Sequence, residues 1–160
     1  MKILNYPHPA LFTKCYEVTE FNASLKAILD QMWNVMEDSE GMGLSANQVG
    51  ICERYFVMLG AYNVRNYIVN PVILSVSQLK ANIPEGCLSA PGDFVVVPER
   101  SQTLVLKYQT ETGVERTRVF EGIYAVCVQH EVEHLEGKSF LDSPGIDKKR
   151  RKQLVKKWLI

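Results

Sequence analysis

The segment with the clearest chemical potential is His130-Glu131-Val132-Glu133-His134, which holds two of the three histidines in the 160-residue chain. Histidines four residues apart on a helix face the same way, so both imidazoles can bind one metal ion. The glutamate beside the first histidine can then reach a water molecule on that metal and act as a general base or acid. The segment therefore predicts a catalytic site for a divalent metal on a helix.

The third metal ligand decides the class of enzyme, because a catalytic site of this kind usually has three protein ligands and one open position. One class of zinc peptidases places a third histidine where this chain has Phe140. Another class uses a glutamate further downstream, but the last 13 residues, from Lys148 onward, contain no acid. The ligand is therefore expected upstream, from His8, a carboxylate or a cysteine. Cys87 is a candidate because a thiolate would complete a Cys-His-His set.

Helical and strand periodicities indicate the elements that position these residues. Apolar residues recur at helical spacing over residues 25–36, with Asn22 or Ser24 as candidate N-caps. The same spacing returns over residues 123–134, where Gly137 can end the helix. Between these helices lie β-rich runs at residues 55–59, 67–74, 94–97, 103–108 and 116–120, with a hairpin turn at 111–113. This order predicts an α+β fold with antiparallel sheets packed around a central metal-binding helix.

Charge is distributed unevenly along the chain. Residues 1–147 contain all 18 acidic residues and 11 of the 18 basic ones, whereas residues 148–160 contain the other seven basic residues. We predict one catalytic domain over 1–147 and a basic C-terminal helix over 148–160, with an apolar stripe formed by Leu154, Val155, Trp158 and Leu159. Three interpretations of this basic helix stay open: packing on the body, docking on ribosomal RNA through residues 148–157, or binding to an anionic membrane. The short apolar stripe disfavours the membrane.

The N-terminus and the cysteines favour a reduced compartment inside the cell. Asn5 and Pro7 interrupt the N-terminus before an apolar run of signal-peptide length develops. No stretch has the roughly 18–20 apolar residues that span a bilayer. The four cysteines form no CxxC pair and are expected to be free thiols. We therefore expect a cytoplasmic protein without membrane contact, and we expect it to be a monomer.

Three segments of the chain stand out together: Gly43-Leu44-Ser45-Ala46-Asn47-Gln48, Glu85-Gly86-Cys87-Leu88-Ser89, and residues 129–134. In this order they resemble the three motifs of the peptide deformylase family, and the resemblance covers roughly residues 1–145. It implies a metal-dependent hydrolase that removes the formyl group from the N-terminal formyl-methionine of nascent polypeptides and releases formate. The resemblance also implies Fe²⁺ as the usual metal, with Zn²⁺, Ni²⁺ or Co²⁺ as substitutes.

Position by position, the resemblance assigns roles to residues of this chain. The metal ligands would be Cys87, His130 and His134. A water on the metal would attack the formyl carbonyl with Glu131 as general base and acid, while Gln48 and the backbone N–H of Leu88 would form the oxyanion hole. The pocket for the methionine side chain would be lined by Met42, Gly43, Ile83, Ile123, Val126 and Cys127.

Two departures from the family pattern need partners. Ser45 stands where a small apolar residue is common, so its hydroxyl requires a hydrogen bond. Glu133 stands where the family usually has an aspartate that anchors the helix through an arginine, and Arg100 lies one position away from the usual arginine. We expect Glu133 and Arg100 to form a compensated pair.

Two other classes of function stay open. A metallopeptidase would cleave ordinary peptide bonds, and the absence of a downstream ligand disfavours it. A non-catalytic metal-binding module would need neither Glu131 nor Gln48, so the presence of both residues favours an enzyme.

Overall fold

The structure of the protein is a computed structural model that describes residues 1–158. Three α-helices and seven strands follow one another in this part of the chain: α1 (Ala23–Asp38), β1 (Gly43–Ser45), β2 (Tyr55–Leu59), β3 (Arg65–Val76), β4 (Pro84–Cys87), β5 (Ala90–Val96), β6 (Thr103–Gln109), β7 (Glu115–Glu121), α2 (Gly122–Leu135) and α3 (Lys148–Trp158). Five strands form an antiparallel sheet in the order β1-β2-β3-β6-β7, and β4 pairs with β5 in a separate antiparallel hairpin. The α+β class and the antiparallel sheets predicted from the sequence are confirmed.

Helix α1 begins at one of the two predicted caps. The side-chain oxygen of Asn22 accepts a hydrogen bond from the Leu25 amide at 3.0 Å, which satisfies a donor at the start of the helix. The buried stripe of α1 packs in one cluster with β2 and consists of Leu25, Leu29, Met32, Trp33 and Met36. The helix ends at Asp38, and Glu40 has a left-handed backbone (φ 54°) that redirects the chain toward β1.

The sheets contain the predicted strands and two more. The hairpin turn between β6 and β7 lies where it was predicted, with the Gly113 amide donating to the Thr110 carbonyl at 3.0 Å. Strand β1 was missed because three residues are too few to show a strand periodicity, and β4 was missed because it contains a proline and a glycine, which are uncommon in strands. Both are close to the predicted chemistry, since β1 leads into Gln48 and β4 ends at Cys87.

Helix α2 is the central element, and eight of its 14 residues are buried: Ala125, Val126, Cys127, Val128, His130, Glu131, His134 and Leu135. Burial around much of the circumference is typical of a helix in the interior of a protein. After the helix, Gly137 has a left-handed backbone (φ 71°), and a Cβ at this position would lie 2.6 Å from the Phe12 carbonyl oxygen. Glycine is therefore required there for both conformation and space.

Helix α3 packs on the body through one side. Leu154 is buried in a cluster with Ala90, Val97, Phe140, Leu141 and Ile146, and Val155 packs against the same cluster. Lys157 Nζ lies 2.9 Å from Asp93 Oδ2 on β5, which adds an ion pair to this contact. Leu159 and the side chain of Trp158, also assigned to the apolar stripe, lie outside the described residues. Within residues 1–158, no helix is both long and apolar enough to cross a membrane.

Candidate metal centre and active site

The three predicted metal ligands converge between β4 and α2. One ligand atom from each of Cys87, His130 and His134 lies within 4.8 Å of the others. The two imidazole Nε2 atoms are 3.1 Å apart, and His134 Nε2 is 3.3 Å from Cys87 Sγ. Two imidazole nitrogens and a sulfur held this close are stable around a shared cation, and this donor set suits Fe²⁺ or Zn²⁺. The residues therefore fit a divalent metal.

Glu85 orients one of these ligands from its position in β4. Its Oε1 accepts hydrogen bonds from His130 Nδ1 at 2.8 Å and from Arg100 Nη2 at 2.6 Å, and its Oε2 accepts one from Arg100 Nε at 2.7 Å. Burial favours a higher pKa for Glu85, but the hydrogen bonds from Arg100 and His130 bring its pKa below the usual value. Glu85 is thus a carboxylate, and the Nδ1–H of His130 is engaged, which leaves Nε2 free to bind a metal.

Arg100 connects Glu85 to a second carboxylate. It donates to Glu133 from Nη1 at 2.6 Å and from Nη2 at 2.9 Å. Only 3% of the Arg100 side chain is exposed, whereas 37% of the Glu133 side chain is exposed. The predicted pair of Glu133 and Arg100 is confirmed.

Glu131 is buried beside the metal ligands, next to Gly43. A Cβ at Gly43 would lie 2.6 Å from Glu131 Oε1 and 2.8 Å from Cys127 Sγ, so this position has no room for a side chain. Burial is the main cause that raises the pKa of Glu131 to about 7. Among the described residues, Glu131 Oε2 has no hydrogen-bond partner. This oxygen is available to a ligand or to a proton.

The side-chain amide of Gln48 is held in one orientation. Its Oε1 accepts from the Ser45 amide at 2.9 Å and lies 3.0 Å from the Ser45 hydroxyl, which supplies the partner that this hydroxyl requires. Its Nε2 donates to Ser89 Oγ at 3.1 Å and lies 3.6 Å from Cys87 Sγ. Because both hydrogen-bond acceptor contacts are on Oε1, the NH₂ group faces the metal ligands.

A cavity of about 500 Å³ opens beside these residues, and Gln48, Leu88 and Glu131 are among the residues that line it. Five of the predicted pocket residues also line it: Met42, Gly43, Ile123, Val126 and Cys127. Ile83 is not among the described residues that line the cavity, whereas the next residue, Pro84, is among them, so the assignment of Ile83 to the methionine pocket stays a prediction.

Comparison with known proteins decides the family. The family model described as polypeptide deformylase matches residues 1–152. The chain belongs to the polypeptide deformylase family. A peptide deformylase from Phenylobacterium zucineum is 38% identical over 160 residues, covering 98% of this chain and 93% of that protein. A protein named peptide deformylase-like, from Agrobacterium fabrum, is 36% identical over 157 residues, with 98% and 93% coverage.

Solved structures of peptide deformylases agree with this fold. The enzyme from Plasmodium falciparum matches with a TM-score of 0.90 and 32% identity, covering 99% of this chain and 95% of that one. The enzyme from Thermus thermophilus matches with a TM-score of 0.87 and 33% identity, covering 97% and 90%. Deformylases of this family are metal-dependent hydrolases that remove the N-formyl group from nascent polypeptides, and the candidate metal site of this chain agrees with that activity.

Within this deformylase fold, the structure reveals supporting residues that the sequence analysis did not single out. The Asn47 side-chain amide donates to the backbone carbonyl of His134, which links the motif around Gln48 to the end of α2. The Leu4 amide donates to the Gln48 carbonyl at 2.7 Å, and the Tyr6 amide donates to the Ser89 carbonyl at 2.8 Å. Asn47 lies inside a recognised motif, whereas backbone contacts such as those of Leu4 and Tyr6 leave no signal in side-chain types.

We predict that the two carboxylates bound to Arg100 affect different properties. Glu85→Gln should lower metal affinity by about 10- to 100-fold, because His130 loses the charged acceptor that orients it. Glu133→Gln should retain metal affinity and lower the free energy of unfolding by about 1 kcal/mol, because Glu133 is partly exposed and contacts no ligand.

Metal affinity is measured by competition with a chelator, and stability by denaturant unfolding of the metal-loaded protein. Glu133→Gln is the matched control, since both variants replace one acceptor of Arg100 by an amide of the same size. Equal metal loss in the two variants would contradict the role assigned to Glu85.

Proposed function

We propose that Glu131, Gln48 and Leu88 carry out the deformylation of N-formylmethionyl peptides at the Cys87, His130 and His134 site. The observation that carries this proposal is the position of Glu131 and Gln48 on the lining of one cavity that also reaches two of the metal ligands. When bound, a divalent metal there supplies a Lewis acid that lowers the pKa of a water molecule toward neutrality. The remaining steps depend on the side chains of this chain.

Glu131 acts as general base and then as general acid. Its unpartnered Oε2 accepts the proton of the attacking water and later delivers it to the leaving amine of the methionine. A pKa of about 7 suits both tasks, because the carboxylate then accepts and releases protons near neutral pH. Release of the proton to the amine completes the separation of formate from the peptide.

Gln48 and the Leu88 backbone N–H stabilise the negative charge that develops on the formyl oxygen. The NH₂ of Gln48 is held toward Cys87 by the contacts of Oε1 with Ser45, so it needs little reorganisation during the reaction. An oxyanion donor of this kind contributes about 3–4 kcal/mol to the stabilisation of a transition state. The cavity wall of Met42, Val126 and Cys127 accommodates the apolar methionine side chain.

Replacement of Glu131 by Gln should abolish most formate release from a formyl-Met-Ala peptide while metal is retained. The expected loss in kcat is about 10²- to 10⁴-fold, because the variant keeps the shape of the side chain and loses its proton-accepting oxygen. Formate release and metal content are measured on the same preparations. Activity of the variant close to wild type would contradict the role assigned to Glu131. Absence of formate release by the metal-loaded wild type would favour a non-catalytic metal site, and cleavage of casein by the wild type would favour a metallopeptidase.

We propose Fe²⁺ as the native metal, as membership of the polypeptide deformylase family implies. Zn²⁺, Ni²⁺ and Co²⁺ are proposed as substitutes, because a thiolate with two imidazoles accepts each of these ions. The apoprotein, loaded anaerobically with each ion, should be more active with Fe²⁺ than with Zn²⁺. Only the Fe²⁺ form should lose activity on exposure to air, through oxidation of the iron and the Cys87 thiolate. A zinc form that is at least as active as the iron form would contradict this proposal.

We further propose that residues 148–160 have a role distinct from that of the catalytic domain of residues 1–147, namely docking on ribosomal RNA. This docking takes place in the cytoplasm, where nascent chains are made. Four lysines on α3 are exposed and contribute positive charge: Lys148, Lys149, Lys152 and Lys156. Leu154 packs α3 on the body, so these lysines are presented on a fixed helix. Each phosphate contact releases counterions and makes binding weaker as salt rises.

Substitution of these four lysines by Gln should weaken binding to purified ribosomes and reduce the salt dependence of that binding, with kcat on formyl-Met-Ala preserved. The matched control replaces four lysines outside α3, namely Lys2, Lys80, Lys107 and Lys138, by Gln. Ribosome binding is measured by sedimentation at several salt concentrations. Equal effects in the two variants would indicate attraction by net charge and no docking by α3.

A further inference from the structure

Phe94 is an aromatic residue that is 70% exposed and still lines the substrate cavity. It lies in β5, opposite the strand that ends at the metal ligand Cys87. Large apolar side chains that stand alone on a surface are common, but one at the rim of a binding cavity adds apolar area to that cavity.

The Phe94 ring is supported by the backbone of Gly86. A Cβ at Gly86 would lie 3.0 Å from Phe94 Cε1 and 3.2 Å from Cζ, so the ring packs against a position where a side chain would crowd it. The preceding residue, Asp93, is paired with Lys157 of α3 at 2.9 Å. Successive residues of a strand point to opposite faces, so the hairpin is anchored through Asp93 while the ring stands on the other face.

The cavity changes from buried to exposed along its apolar wall. Val126 and Cys127 are 2% and 8% exposed, and both belong to the proposed methionine pocket. Ile123, one turn earlier on α2, is 47% exposed. Phe94 and Ile123 therefore form an apolar rim at the exposed end of the cavity, whose buried part is lined by Val126, Cys127 and two of the proposed metal ligands.

We infer that Phe94 contacts the side chain of the second residue of the substrate and favours formylated peptides with a large apolar residue after the methionine. This inference rests on the proposed function. When the formyl-methionine of a bound peptide fills the buried part of the cavity, the rest of the peptide must pass over the rim. The side chain of the second residue then contacts the exposed ring of Phe94. Covering apolar surface that is otherwise in water stabilises the complex, and a glycine at the second position cannot provide this contact.

The test compares formyl-Met-Phe-Ala with formyl-Met-Gly-Ala. Wild type should have the higher kcat/KM for the phenylalanine peptide, and Phe94→Ala should reduce the ratio of the two values by roughly three- to tenfold, mainly through KM. Phe94→Leu should keep an intermediate ratio. Leu79→Ala is the matched control, because Leu79 is also 70% exposed and is not among the residues that line the cavity. An unchanged ratio in Phe94→Ala, including an equal loss on both peptides, would overturn the inference.

Direct binding separates this inference from the proposed function. The Glu131→Gln protein, loaded with Zn²⁺, is titrated with each peptide by calorimetry, with and without Phe94→Ala. Tighter binding of the phenylalanine peptide that depends on Phe94 supports the inference even if the wild type releases no formate, which would refute only the proposed function. Equal affinities for the two peptides would overturn the inference whatever the catalytic result.

Discussion

The carboxylate of Glu85 joins the two parts of the molecule that form the candidate metal centre. It belongs to β4, two residues before Cys87, and it binds His130 on α2 together with the buried Arg100. Removing these charges from water is unfavourable unless each has a partner, so the three side chains are stable only together. Cys87 on β4 and the two histidines on α2 are thereby held at fixed positions relative to each other. Glu133 completes the group from the surface side, where its partial exposure reduces the desolvation cost.

Small residues leave space around the candidate metal centre. Gly43 leaves room for Glu131, and Gly86 leaves room for Phe94. Small residues also control orientation, since Ser45 binds the oxygen of Gln48 and so turns the NH₂ group toward Cys87. A side chain at Gly43 would displace the carboxylate of Glu131, because a Cβ there would lie 2.6 Å from Glu131 Oε1. The geometry of the candidate site therefore depends on the small size of these residues as well as on its functional groups.

The basic helix α3 has two sides with different consequences. Leu154 and the ion pair of Lys157 with Asp93 bind it to the hairpin of β4 and β5, so the helix supports the same hairpin that carries Cys87 and Phe94. The lysines of the other side are exposed. Support of the hairpin and contact with a polyanion can therefore coexist, because they use opposite faces of one helix.

Much of the candidate site could be predicted from the sequence, because its informative spacings are local. The four-residue separation of His130 and His134 fixes their common direction once a helix forms, and the helix is indicated by its apolar periodicity. The sequence also predicts the antiparallel strands of at least five residues and the unequal distribution of charge. Tertiary structure alone decided the features that depend on long-range contacts. It paired β4 with β5, joined Asn47 to His134 across the fold and oriented the amide of Gln48. Covalent geometry determines local spacing, whereas these contacts exist only after the whole core has packed, and segments as short as β1 and β4 acquire their structure from their neighbours.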